Sequence, residues 1–206
     1  MLHLETVESS TLELLIRLQG LNSLKETRLV GGTSLSLQYG HRISVDLDLF
    51  AHSNQFDFLA VIAEINTLGL QMQIRKQSPN MLISMIENVK VDIVNYPYAW
   101  IDQQLVENNI VMATDKEIAA MKISAITNRG TMKDFIDLYC LLKHYTLDEI
   151  LSFYSTKYQD GSLLMALRSL TYFEDAEADL SPRILDNEIT WKLVKQTISQ
   201  AVKKLS

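Results

Sequence analysis

The sequence predicts an α+β fold: a mixed sheet with flanking helices over residues 1–113, then a helical bundle over residues 114–206. Three observations predict it. Short apolar segments with strand-like alternation cluster between residues 28 and 113, with turn signals between them. From Thr114 on, apolar residues recur at helical spacing behind N-cap signals. Strands that come first and helices that come afterwards segregate into a sheet-bearing half and a helical half.

Taken in order, residues 6–25 read as a helix, with Leu12, Leu15, Ile16 and Leu18 as its apolar stripe and Gly20 or Asn22 as its end. Residues 28–30 form a short strand, 34–39 a helical turn or two closed by Gly40, 43–50 a strand, and 52–54 a loop. A helix follows over 56–68, stopped by Gly69. Residues 70–76 and 81–87 flank the turn Gln77-Ser78-Pro79-Asn80 and predict a hairpin; Asn88 turns the chain into a strand over 89–94. Residues 110–113 make one more short strand. Thr114-x-x-Glu117 reads as a capping box opening a helix to residue 128, and Thr131-x-x-Asp134 caps another to residue 144. Helices over 147–158, 162–174 and 190–205 complete the chain, with a loop at Ser181-Pro182.

Composition narrows the classes. Apolar residues make up 47%, ordinary for a globular chain, and no apolar run approaches the 18 residues of a membrane span. A net charge of −6 gives no general attraction to nucleic acid, so an RNA substrate needs a local basic patch. One cysteine, Cys140, excludes an intrachain disulfide, fits a reducing cytoplasm, and lies in an apolar helical pattern as a core residue. No signal peptide is expected. Four histidines and one cysteine lack zinc-ligand spacing.

The chemistry centres on residues 29–50, LVGGTSLSLQYGHRISVDLDLF. On a strand, Ser44, Asp46 and Asp48 share one face and Val45, Leu47 and Leu49 face the core. Two carboxylates about 6–7 Å apart can hold one or two hard cations. Gly31 and Gly32 allow close backbone approach to a ligand, Thr33 or Ser34 can cap the following helix, and a helix N-terminus suits a phosphate. Each motif alone is weak, since D-x-D also occurs on solvated edge strands and Gly-Gly in plain turns. Their order within some twenty residues supplies parts that handle a nucleoside triphosphate (NTP). Asp92 alternates with apolar neighbours on the strand over 89–94 and offers a third carboxylate; its bland reading is a solvent-facing edge residue. Lys122 sits between Met121 and Ile123 near a buried edge of its helix, while Asp134 and Asp137 lie three apart on the next helix, near Arg129 and Lys133. Taken alone, that set reads as a surface ion-pair group of little value. Arg42 can contact phosphate or pair with an aspartate, and His41 is either a turn residue or functional. Tyr96, Tyr98, Trp100, Tyr139 and Tyr154 are base-stacking candidates that core packing explains as well; Lys192, Lys195, Lys203 and Lys204 make a modest basic strip on the last helix.

The order of glycine turn, short helix and D-x-D strand resembles the signature of the nucleotidyltransferase superfamily. The string GGTSL-x-L-x-x-GHR-x-S-x-DLDLF and residues 116–142 resemble the AbiEii/AbiGii-type toxin family, over most of residues 28–145. The resemblance implies a nucleotidyltransferase-like mixed sheet, with Asp46, Asp48 and Asp92 as a triad for Mg²⁺. Asp92 would help lower the pKa of the attacking hydroxyl or take its proton. Gly31, Gly32, Thr33 and Ser34 would hold the β- and γ-phosphates. Lys122 would contact the triphosphate, with Asp134 or Asp137 positioning it or Lys122. A basic motif of the family falls near Arg75 and Lys76 without firm alignment. The implied activity is Mg²⁺-dependent transfer of a nucleoside monophosphate from an NTP to an acceptor hydroxyl, with tRNA as the candidate acceptor and a separately encoded antitoxin as partner. Two alternatives stay open: a nucleotide-binding regulatory module without catalysis, and transfer to a small molecule such as an antibiotic.

Overall fold

The structure is a computed structural model that describes residues 1–53 and 56–205; Asn54, the last residue of the loop expected over 52–54, lies outside them. Among the described residues, seven strands form one mixed sheet in the order β3-β4-β5-β2-β1-β7-β6. They are β1 (Arg28–Leu29), β2 (Leu47–Ala51), β3 (Met72–Ser78), β4 (Met81–Ile86), β5 (Val89–Asn95), β6 (Leu105–Glu107) and β7 (Ile110–Met112). β2 runs parallel to β5 and antiparallel to β1, while β3, β4 and β5 form an antiparallel ribbon at one edge. Helices α1 (Ser9–Gln19), α2 (Gly31–Tyr39) and α3 (Phe58–Thr67) accompany the sheet. Helices α4 (Asp115–Asn128), α5 (Met132–Leu141), α6 (Leu147–Lys157), α7 (Leu163–Ser169), α8 (Glu174–Glu177) and α9 (Trp191–Lys203) form the second half.

Two apolar cores result. Leu47, Leu49, Val91 and Ile93 on one sheet face join Leu15, Leu18, Val61 and Ile65 of α1 and α3. The second core gathers Ile123, Phe135, Leu138, Ile150 and Val194 of the helical half, with Phe50 and Tyr96 packed against it from the opposite sheet face. α2 bridges them, because Leu35 enters the helical core and Leu37 the sheet core. No helix among the described residues is long and apolar enough to cross a membrane.

Several expectations are corrected. The aspartate strand starts at Leu47, not residue 43: Ile43 N–H is bonded to Arg183 O and Ser44 N–H to Thr6 O, so these two amides go to distant segments instead of the sheet. Val45 is consequently exposed and Ser44 buried. Neither expected capping box forms. Thr114 Oγ1 donates to Asp102, and Glu117 turns into the interior to accept from Ile101 N–H and pair with Lys157. Thr131 Oγ1 donates to the Asp134 side chain instead of a backbone amide. A true capping box sits at Thr146 and Glu149. β6 was not expected; it pairs with β7 across Asn108-Asn109, both at positive φ. The single helix expected over 162–174 is two short ones, α7 and α8.

Candidate active site

β2 and β5 are parallel neighbours in the register Asp48↔Asp92, so two carboxylates stand side by side on the sheet face turned to the helical half. Asp46 precedes β2 by one residue, and the Lys133 ammonium of α5 lies 3.9 Å from its Oδ2. Burial and the Asp92 charge push the Asp48 carboxyl up to about 6. Lys90, two residues before Asp92 on the same face, places Nζ 2.7 Å from Asp92 Oδ2. The other oxygen, Asp92 Oδ1, is buried and has no hydrogen-bond partner among the described residues.

The glycine turn is locked against this pair. Val30 N–H donates to Asp48 O at 2.9 Å, and α2 starts immediately at Gly31. Gly31 has φ +69°, and a Cβ there would lie 2.4 Å from Asp48 Oδ2. The expected caps do not form: Thr33 Oγ1 donates to Asp46 O and is hydrogen-bonded to the Ser44 hydroxyl, and the Ser34 hydroxyl faces Ala113 O at 3.4 Å. Both side chains are buried, so the amides, not the hydroxyls, are the groups this turn presents. Among the described residues, no acceptor takes the N–H of Gly31, Gly32 or Thr33. Gly31→Ala is expected to cost about 1–3 kcal/mol for the left-handed backbone, lowering the melting temperature and displacing Asp48; differential scanning calorimetry reads the first and NTP titration the second.

The helical half contributes a buried ion network. Lys122 Nζ lies 2.9 Å from Asp134 Oδ1 and 2.6 Å from Asp137 Oδ2. Arg42 grips Asp137 with two bonds, Nε–Oδ1 at 2.7 Å and Nη2–Oδ2 at 2.8 Å, and His41 Nε2 is 2.7 Å from Asp137 Oδ1. All five side chains are buried, which replaces the surface ion-pair reading. Burial opposes the Asp137 charge, yet Arg42 and Lys122 hold its carboxyl well below the usual range. Burial likewise opposes the Lys122 charge, but Asp137 and Asp134 keep it above its ordinary value. Arg42 thus takes the aspartate-pairing option, and its guanidinium fills the space beside Gly32, where a Cβ would meet Nη2 at 2.1 Å. Lys122 also acts electrostatically on Asp48, tying the network to the carboxylates. Cys140 is buried, with its thiol pushed up to about 12 by burial.

The family profile described as nucleotidyl transferase AbiEii toxin, type IV toxin–antitoxin system, matches residues 15–204. The chain belongs to this AbiEii family. Membership makes it a nucleotidyltransferase and implies an NTP as substrate and an antitoxin as partner. It is 33% identical over 197 residues to the uncharacterized protein aq_aa25 of Aquifex aeolicus (strain VF5), covering 93% of this chain and 94% of that one. Its fold is similar to JHP933 from Helicobacter pylori, with TM-score 0.57, 18% identity and 97% and 93% of the two chains covered. It is similar to MenT4, the nucleotidyltransferase toxin Rv2826c of Mycobacterium tuberculosis H37Rv, with TM-score 0.56, 16% identity and 93% and 82% covered. The antibiotic-resistance factor ANT(2'')-Ia also matches, with TM-score 0.52, 12% identity and 72% and 91% covered. At these identities the solved structures speak for the fold.

AbiEii chemistry uses a divalent metal. Three hard oxygen donors of like charge on adjoining segments, one with a buried and unpartnered oxygen, suit a hard cation. As placed, no three His, Cys, Asp or Glu groups among the described residues gather around one point. Two ammonium groups, Lys90 and Lys133, stand against the outer carboxylates instead. The alternation over residues 89–94 already puts Lys90 on the Asp92 face, but spacing alone does not show that its ammonium pairs with Asp92. Lys90→Met is expected to tighten divalent-cation binding about three- to tenfold by removing a competing charge beside Asp92; isothermal titration with Mn²⁺ checks it.

Proposed function

We propose that this AbiEii protein transfers a nucleoside monophosphate from an NTP to a hydroxyl of tRNA in a Mg²⁺-dependent reaction, as the toxin of its toxin–antitoxin pair. One observation supports the reading above the others. Asp48, paired with Asp92 across β2 and β5, lies against the Gly31 turn at the α2 N-terminus, whose first amides have no acceptor among the described residues, and the buried Lys122 of the helical half acts on Asp48. A phosphate cradle, an acidic centre and a fixed cation therefore converge from three elements.

In this reading the N–H groups of Gly31, Gly32 and Thr33 hold the β- and γ-phosphates, and Arg42 and Lys122 add fixed positive charge behind them. Asp134 and Asp137 orient Lys122 and keep it protonated. Asp46, Asp48 and Asp92 hold Mg²⁺, which supplies charge neutralisation on the attacking and leaving oxygens. The acceptor oxygen forms its bond to the α-phosphorus while the bond to the bridging oxygen breaks, and pyrophosphate leaves. Asp92 helps lower the pKa of the acceptor hydroxyl or accepts its proton, and Oδ1 is the oxygen that Lys90 leaves free for either role. The two halves, residues 1–113 and 114–206, serve as the catalytic core and the helical domain that completes it. The test incubates the protein with Mg²⁺, each α-³²P NTP in turn and total bacterial tRNA, with Asp48→Asn as control. Label in tRNA with the natural chain and none with the variant is expected; Mg²⁺-dependent NTP binding without label in tRNA removes the tRNA acceptor.

A further inference from the structure

The face of the β3–β4–β5 ribbon beside Asp92 has features that neither core explains. Successive residues of a strand alternate between faces, and register fixes who stands beside whom. Asp92 on β5 is opposite Ile83 on β4, and Ile83 is opposite Lys76 on β3. With Asp48 this makes one row across four strands: Asp48, Asp92, Ile83, Lys76. The rows on either side read Lys90, Met85, Gln73 and Val94, Met81, Ser78. The register shift between Ile74 and Lys76 is what puts Lys76 in the Asp92 row; without it Arg75 would stand there and Lys76 would point to the opposite face.

The opposite face of the ribbon is closed, with Leu82, Ser84, Ile86, Val91 and Ile93 buried. On the Asp92 face, Met81, Ile83 and Met85 remain partly exposed and pack into neither apolar core. Three large apolar side chains therefore form a stripe that begins beside the catalytic carboxylates. Cations stand on both sides of it: Lys90 next to Asp92, and Lys76 on the exposed strand β3.

Resting on the nucleotidyl-transfer reading above, we propose that this ribbon face is the acceptor platform and that its occupant is the single-stranded 3′ end of an RNA. The reasons are its position and its charge. An acceptor must bring a hydroxyl to Asp92 from outside the triphosphate cradle, and the ribbon leads outward from Asp92 on the side away from β1 and α2. Lys76 stands two strand spacings from Asp92, about 10 Å, within reach of the backbone phosphates next to a terminal nucleotide. Methionine and isoleucine offer apolar, adaptable contact to base faces without selecting a base. Lys76, exposed and in no ion pair among the described residues, repels a polycationic small acceptor and attracts an anionic strand, whereas the Lys90 charge is taken up by Asp92. Lys76 gives this face a local positive charge on a chain of net charge −6.

The test measures RNA binding apart from turnover. The probe is a 5′-fluorescein RNA hairpin with a four-nucleotide single-stranded 3′ tail, followed by anisotropy over a salt series, with the blunt hairpin as reference. The natural chain is expected to bind the tailed probe more tightly than the blunt one. Lys76→Glu is expected to weaken tailed binding about tenfold and to flatten the log–log salt dependence by about 0.7 for one lost contact. Gln73→Lys, adding a cation in the neighbouring row, is expected to tighten it. NTP affinity, titrated in parallel, is expected to be the same in all three proteins. Tailed binding that neither substitution moves, with NTP binding intact, overturns the platform and leaves the transfer reading standing. Loss of NTP binding in Lys76→Glu also overturns it, because Lys76 would then belong to the nucleotide site. Failure of the natural chain to bind NTP with Mg²⁺ overturns the transfer reading, and with it the acceptor role of this face.

Discussion

Asp137→Ala is expected to destabilise the protein by about 3–5 kcal/mol, the largest stability loss of any single substitution at this site. The carboxylate is fully buried and accepts from His41, from Arg42 twice, and from Lys122. Removing it leaves two buried cations facing each other with one carboxylate, Asp134, in contact with only one of them. Burying uncompensated charge costs far more than an ion pair contributes. Lys122→Met is expected to cost less, because Asp137 keeps Arg42 and His41 and because methionine matches the apolar stem. Urea unfolding of both variants checks the ordering; equal losses would show that the stabilising element is the Lys122 pair alone. For a domain whose total stability is about 5–15 kcal/mol, Asp137→Ala should also fold poorly when expressed. The variant therefore reports on architecture, and activity lost in it says little about chemistry.

This network shows where sequence reading reaches its limit. The glycine turn, the D-x-D pair and the Asp92 strand were legible because each is written within a few residues and their order is distinctive. The ribbon was legible for the same reason, since its alternation and turns are local. His41, Arg42 and Asp137 are separated by some 95 positions, and nothing in either segment shows that they meet. In isolation Asp134 and Asp137 looked like solvated helix charges. The false capping boxes fail in a related way: Glu117 and Asp134 have the right spacing for a cap, but a buried lysine claims each of them, Lys157 and Lys122 respectively. A tertiary partner in a dry interior outbids a local backbone amide. The strand expected over 43–50 lost its first half because residues 43 and 44 bond to Arg183 and Thr6, contacts that alternation cannot anticipate. β6 was missed because three residues are too few to show a period, although Asn108-Asn109 is a hairpin signal.

Asp48→Asn is expected to abolish nucleotidyl transfer, by about 10³-fold or more, while making the metal-free protein more stable. Both effects come from the same crowding. Asp48 stands beside Asp92 and near Asp46 in partial burial, and its carboxyl is raised from the ordinary 3.8 to about 6. A carboxyl whose folded-state pKa is raised binds its proton more tightly in the folded protein than in the unfolded chain. Its contribution to stability is thus most favourable in acid, and is lost as pH rises from about 4 through 6. Above that range the ionised group costs about 3 kcal/mol by linkage, and about 2 kcal/mol once the residue's partial exposure is allowed for. Asparagine keeps the shape and removes the charge. At pH 8 the variant is therefore expected to melt about 4–8 °C higher than the natural chain, with the gap roughly halved at pH 5. Divalent metal should narrow the gap from the other side, since it stabilises only the protein that retains the carboxylate. Thermal melts at pH 5 and pH 8, with and without Mg²⁺, read all four arms. Equal melting temperatures at pH 8 would mean that Asp48 is well solvated and that its neighbours do not crowd it. A higher melting temperature together with undiminished transfer would separate stability from chemistry and remove Asp48 from the reaction. The expected outcome, stability gained where activity is lost, is the signature of carboxylates held together for a cation against their own repulsion.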